Sequence, residues 1–141
     1  MIETDMLYAY VKKEDKLKPV AEKIITKIVN GELGTVYASR ESLHELYYVS
    51  KKEGVSLDEY IYRAAALTAI ENLKFIETTY QIDLLALTLM KQYKIESIFD
   101  AYYAATALNQ VPDHTIISTD EVFDTIPGII RIDPKNYSKN S

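Results

Sequence analysis

Four short β-favouring segments, Leu33 to Ala38, Leu73 to Glu77, Thr115 to Ser118 and Ile129 to Ile132, alternate with stretches whose apolar residues recur at helical spacing. This alternation constrains the fold more than any other feature of the chain. Short strands buried on both faces need helices to cover them, so the pattern predicts βαβ units and a parallel sheet in an α/β domain. The first helix is marked by Met6, Leu7, Tyr10 and Val11, with Asp5 as a candidate N-cap. Leu17, Val20, Ala21, Ile24, Ile25 and Ile28 mark the second, closed by Asn30-Gly31. Ser39 offers a cap for a helix running to about Lys52, and Gly54 breaks it. Ser56 and Glu59 form a capping box for a helix from Leu57 to about Asn72. Two more helices are expected, over Ile82 to Tyr93 and over the alanine- and tyrosine-rich Phe99 to Leu108.

At 141 residues the chain suits one domain with a core of its own. The expected boundaries are a domain over residues 1–133 and a polar tail over 134–141. No run of about 18 apolar residues occurs, and the first residues lack a secretion-signal pattern, so no membrane contact is expected. The absence of cysteine removes disulfides, thiolate nucleophiles and cysteine-ligated zinc, and favours a cytoplasmic location. A net charge of −5 argues against a broad basic nucleic-acid face. It does not argue against a nuclease, because cations held among carboxylates attract phosphate locally.

In open parallel sheets, ligands bind beyond the carboxyl ends of the strands. Acidic residues expected there are Glu3 and Asp5 at the end of a first strand, and Glu45 in the second turn of the helix after the second. Asp100, in the first turn of its helix, and Asp120, just after a strand, complete the set. Taken singly, Asp5 and Asp100 also read as helix caps, and Asp120 as a turn residue. Taken together they carry a cost, since two charges 5 Å apart repel by roughly 3 kcal/mol at an effective dielectric near 20. A cluster of this kind takes up protons or a hard cation, and all-oxygen ligation suits Mg²⁺ or Mn²⁺. His44 and His114 belong to no recognisable catalytic arrangement, no phosphate-binding glycine loop is present, and Tyr10, Tyr47 and Tyr103 fall at core spacing. The lysines between Lys12 and Lys27 read as a solvated helix face.

The chain resembles the PIN-domain family, and within it the VapC-like toxins. The opening Glu3-Thr4-Asp5-Met6-Leu7 is similar to the family's strand ending in Asp-Thr-Asn or Asp-Thr-Asp. Ser39 with Glu45-Leu46, and Asp100 at the head of Ala101-Tyr102-Tyr103-Ala104-Ala105, match its second and third marks. Ser118-Thr119-Asp120, Phe123 and Ile126-Pro127-Gly128-Ile129 match its fourth. The resemblance implies a three-layer α/β/α sandwich and hydrolysis of RNA phosphodiesters with Mg²⁺ or Mn²⁺. Glu3, Glu45, Asp100 and Asp120 would be catalytic and metal-binding, with Asp5 and Thr119 in support. The toxin resemblance further implies a small antitoxin partner and a homodimer, for which Tyr8 and Tyr48 are candidate interface residues. One departure stands out: the family's first acid is usually aspartate, and here it is Glu3. The longer acid either reaches the usual position from a backbone set further back or leaves a loose site that favours Mn²⁺. The second outcome keeps a catalytically silent binding module as a rival reading. Glu41 competes with Glu45 as the helix carboxylate. A receiver-type signalling domain fits less well, because no lysine precedes the last strand.

Overall fold

The structure is a computed structural model that describes residues 1–137. Its elements in chain order are α1 (Thr4–Val11), α2 (Lys18–Val29), β1 (Val36–Ser39), α3 (Glu41–Lys52) and α4 (Leu57–Thr68). They continue as β2 (Leu73–Ile76), α5 (Tyr80–Tyr93), α6 (Ile98–Gln110), β3 (Thr115–Ile117) and β4 (Ile130–Ile132). β1 pairs with β2 and β3 with β4, both in parallel.

The first three residues join these two pairs. The Ile2 N–H donates to the Tyr37 carbonyl at 2.7 Å, the Ile117 N–H to the Met1 carbonyl at 2.7 Å, and the Glu3 N–H to the Ile117 carbonyl at 3.1 Å. Met1–Glu3 therefore runs as the central member of a parallel sheet, ordered β2, β1, Met1–Glu3, β3, β4. Side chains alternate strictly between its faces. Ile2, Val36, Ala38 and Ile117 pack with α1, α2 and Leu46 of α3, whereas Met1, Tyr37 and Ile116 pack with α5 and α6. The result is the expected α/β/α layering, with helices on both faces because neither face of the sheet can meet water. α6 lies close because Ala101, Ala104, Ala105 and Ala107 are fully buried and keep little bulk between backbones.

Four local expectations change. The cap of α1 is Glu3 and not Asp5, since Glu3 Oε2 accepts from the Asp5 N–H at 2.6 Å. β1 starts at Val36, after a turn in which Gly31 and Gly34 both take positive φ. α4 stops at Thr68, short of Asn72, which itself sits at φ 67 and donates to the carbonyls of Ile28 and Val29 at the end of α2. The polar tail expected from residue 134 begins as a 3-10 turn over Pro134–Tyr137, with Pro134 buried and the turn packed against α2. Residues 138–141 of that expected tail lie outside the described residues. Among the described residues no helix is long and apolar enough to cross a membrane.

Candidate metal centre

Glu3, at the carboxyl end of the central strand, donates its N–H to the Ile117 carbonyl, follows Ile2, which is bonded to Tyr37, and is buried to 5% exposure. α6 begins beside it, and Ser97 caps that helix by accepting from the Asp100 N–H, which fixes Asp100 in the first turn. Beyond β3, Ser118 Oγ accepts from the Asp120 N–H at 2.9 Å, and Asp120 Oδ1 in turn caps the next 3-10 turn at Val122. These three anchors bring one carboxylate oxygen each from Glu3, Asp100 and Asp120 within 4.8 Å of one another. No other such group occurs among the described residues.

The cleft around them has a volume of about 280 Å³ and is also lined by Thr4, Asp5, Tyr8, Glu45 and Ser97. Five carboxylates border it, and no lysine, arginine or histidine does. A larger depression of about 480 Å³ near Tyr10, Lys18 and Glu22 holds no comparable cluster, so chemistry and not size singles out the acidic cleft. The imbalance shows in the ionisation. Asp100 is pushed up to about 7, first by burial and then by Asp120, Glu45 and Asp5. Glu3 is held well above the usual carboxylate range, first by burial and next by Asp5.

The remaining candidates take other positions. Glu45 faces the cleft from α3 outside the close trio, and its Oε1 accepts from the Tyr103 hydroxyl at 2.8 Å. Burial, followed by Glu45, raises the Tyr103 phenol far above its usual range, so it stays a donor. Asp5 lines the cleft with its carboxylate turned aside: Oδ2 accepts from the Thr119 N–H at 2.8 Å and the Thr119 hydroxyl at 2.6 Å. Thr119 thus ties β3 to α1 and does not border the cleft. Glu41 lies elsewhere, accepting from the Thr78 hydroxyl at 2.8 Å and facing His44 Nδ1 at 3.1 Å, so Glu45 is the helix carboxylate of this cleft.

Several supporting residues escaped the sequence reading. Tyr103 is fully buried as expected, yet its hydroxyl serves the cleft. Ser42 is buried beneath and accepts from the Thr4 hydroxyl at 2.9 Å. Its only signal in the sequence is a serine on the apolar side of a helix. Tyr47, expected in the core, is 36% exposed, while Tyr8 is half-buried at the edge of the cleft and Tyr48 exposed.

The donor set suits a small hard cation. Oxygens on opposite sides of one Mg²⁺ lie about 4.2 Å apart, twice its usual ligand distance. Neighbouring oxygens on one such ion lie only about 3 Å apart, so the trio, now within 4.8 Å, would have to draw in by up to about 2 Å to share it. All the donors are carboxylate oxygens, the ligand type of Mg²⁺ and Mn²⁺ and not of a thiolate or imidazole site.

A family model described as the PIN domain matches residues 1–129. No curated protein matches the chain.

Proposed function

The chain belongs to the PIN-domain family, a nuclease fold, and from that premise we propose that it is a divalent-metal-dependent endoribonuclease. One observation carries the reading: three carboxylates from three separate elements converge within 4.8 Å in a cleft lined by no basic side chain. Folding has not supplied their counter-charge, so a cation from solution fits. Glu3, Asp100 and Asp120 would hold Mg²⁺ or Mn²⁺, and Glu45 would complete the set. Such a cation supplies positive charge to the phosphoryl oxygens and acidity to a water.

The protein's own groups do the rest. Tyr103 orients Glu45 through its hydroxyl, and Thr119 fixes one oxygen of the Asp5 carboxylate beside the trio. Because burial and its acidic neighbours push Asp100 up to about 7, holding a cation there would release a proton from it. The reading is tested by incubating the protein with unstructured RNA across a Mn²⁺ and Mg²⁺ titration, with a chelator control. Cleavage that needs either metal supports it, and intact RNA under all conditions leaves the silent-module reading in its place.

The biological role proposed is that of a VapC-like toxin, supported by the four sequence marks between Glu3 and Gly128. It would act as a cytoplasmic homodimer restrained by a small antitoxin whose basic side chain enters the acidic cleft. Expression of this chain alone is then expected to slow growth of a host, and the Asp100→Asn form is expected not to. Equal harmlessness of the two removes the toxin role without touching the nuclease.

A further inference from the structure

Beside the acidic cleft, on the same helix, stands a cluster of mixed charge, with Lys12 and Arg63 set among Glu53, Asp15 and Glu59. α1 opens at the cleft with Thr4 and Asp5, reaches Tyr8 one turn later and Lys12 one turn beyond, its C-cap. The Tyr8 hydroxyl donates to Glu53 Oε2. Lys12 Nζ lies 3.4 Å from Glu53 Oε1, 3.5 Å from Asp15, and 4.8 Å above the Tyr8 ring. From α4 comes Arg63, with a side chain only 11% exposed. Its Nε and Nη1 are buried without a hydrogen-bond partner, and its one ion pair, to Glu59, is long at 3.6 Å. The guanidinium acts electrostatically on both Tyr8 and Glu53.

Two cations and a phenol therefore surround Glu53, the one carboxylate that both Tyr8 and Lys12 contact, while Asp15 also pairs with Lys12 and Glu59 with Arg63. Glu53 is an unexpected tenant, because it caps the C-terminus of α3, where negative charge opposes the helix dipole. A carboxylate and a phosphodiester offer similar acceptor oxygens to the same donors. An RNA strand approaching a chain of net charge −5 also needs cations along its path, and the cleft itself has none.

We propose that Tyr8, Lys12 and Arg63 form a subsite for a non-scissile phosphate of the strand crossing the cleft, and that Glu53 fills it in the free protein. The identity of the ligand as RNA rests on the nuclease reading, and the anion site itself does not. When the strand arrives, Glu53 swings into solvent and its phosphate takes up the Tyr8 and Lys12 donors. Arg63 supplies positive charge from beneath, where no carboxylate contacts its Nε and Nη1 closely enough to hydrogen-bond.

The test is equilibrium binding of a labelled, unstructured RNA oligonucleotide to Asp100→Asn protein with Mg²⁺ across a salt series, so that cleavage does not intervene. Adding Lys12→Gln is expected to weaken binding about fivefold near 0.1 M salt and to lower the steepness of log K against log salt by about 0.7, one phosphate contact on a single strand. Adding Glu53→Gln is expected to tighten binding by a similar factor. Both changes are at solvent-reaching side chains, and a circular-dichroism melt confirms the fold. Unchanged affinity and slope in both proteins, weaker binding by Glu53→Gln, or no binding at all overturns the subsite. Displacement of RNA by a glutamate-rich peptide at equal concentration overturns it too, in favour of a protein partner. Failure of the nuclease reading looks different: the native chain leaves RNA whole in Mn²⁺ while the Lys12 and Glu53 effects persist.

Discussion

Glu41 and Glu45 are one turn apart on α3, and only Glu45 faces the acidic cleft. Glu41 accepts from the Thr78 hydroxyl and lies 3.1 Å from His44 Nδ1, away from the other carboxylates of the cleft. Glu45 accepts from one donor, the Tyr103 hydroxyl, and otherwise shares a cleft with Glu3, Asp5, Asp100 and Asp120. The first neighbourhood is closed. The second lacks positive charge, which protons or a cation must provide. A carboxylate cluster that the fold leaves unanswered has its complement outside the chain, and sequence spacing alone does not reveal which of two glutamates belongs to it.

The largest effect should come from substituting one carboxylate in each neighbourhood. Asp100→Asn is expected to lower metal-dependent cleavage by more than about a hundredfold, the upper end for losing an outer-shell partner, because here a ligand is lost. Its metal-free melting temperature is expected to hold or rise, since a repelling charge is gone. Glu41→Gln should keep cleavage within about twofold and cost about 1 kcal/mol of stability through a weakened hydrogen bond. Cleavage assays and melts of the two proteins side by side check this, and loss of cleavage in Glu41→Gln breaks the contrast.

A sharper test lies in the departure at position 3. The sequence leaves two outcomes for the glutamate, a backbone set further back or a loose site. The backbone here is fixed by hydrogen bonds to Tyr37 and Ile117, and one carboxylate oxygen caps α1 through the Asp5 N–H. Glu3→Asp then withdraws the carboxylate by roughly one carbon–carbon bond, about 1.3 Å along the chain, from Asp100 and Asp120. Cleavage is expected to fall by on the order of ten- to a hundredfold, the scale of a 1 Å misplacement. A rise in rate with Mg²⁺ would instead show a site shaped for the shorter acid.

Much of this was legible in the sequence for a physical reason. The short apolar runs and the period-3.6 patterns are imposed by a sheet covered on both faces, so the strands, the helices and the rim followed from them. Met1–Glu3 was too short to judge as a strand from its own residues, because its partners, Tyr37 and Ile117, are far away in the chain. Tyr103 read as core because burial and a functional hydroxyl leave the same apolar spacing. Tyr47 read as core from α3 alone, but the partner helix α4 buries only Leu67 among its residues and leaves that side open.

Proton linkage separates the neighbourhoods more gently. Asp100 moves from an ordinary 3.8 to about 7, so the folded chain holds that proton more tightly than the unfolded chain. Stability from this proton is complete below about pH 4, declines as pH rises towards about 7, and changes little above. Glu3, raised in the same direction, adds to the decline. The metal-free protein is therefore expected to melt several degrees lower at pH 8 than at pH 5, with Mn²⁺ restoring the loss at pH 8. Melts of Asp100→Asn should show a flatter profile. A melting temperature in chelator that rises across this range would contradict the cleft's deficit of positive charge.

The smallest effect belongs to Thr119, which touches the cleft only through Asp5. Its N–H and its hydroxyl both donate to Asp5 Oδ2, while the Met6 N–H donates to Oδ1. Thr119→Val keeps the shape of the side chain and the backbone donor and removes only the hydroxyl. The position is exposed, so water takes up part of the lost bond, and the cost is expected to stay near 1 kcal/mol, about fivefold. Because Asp5 is held on its other side by α1, the loss should appear as weaker metal affinity more than as a slower rate at saturating Mn²⁺. Asp5→Asn removes the charge and keeps the shape, so it separates position from charge. If Asp5 only ties β3 to α1, Asp5→Asn should match Thr119→Val. If its charge also attracts the cation, Asp5→Asn should raise the Mn²⁺ needed for half-maximal cleavage well beyond the threonine variant.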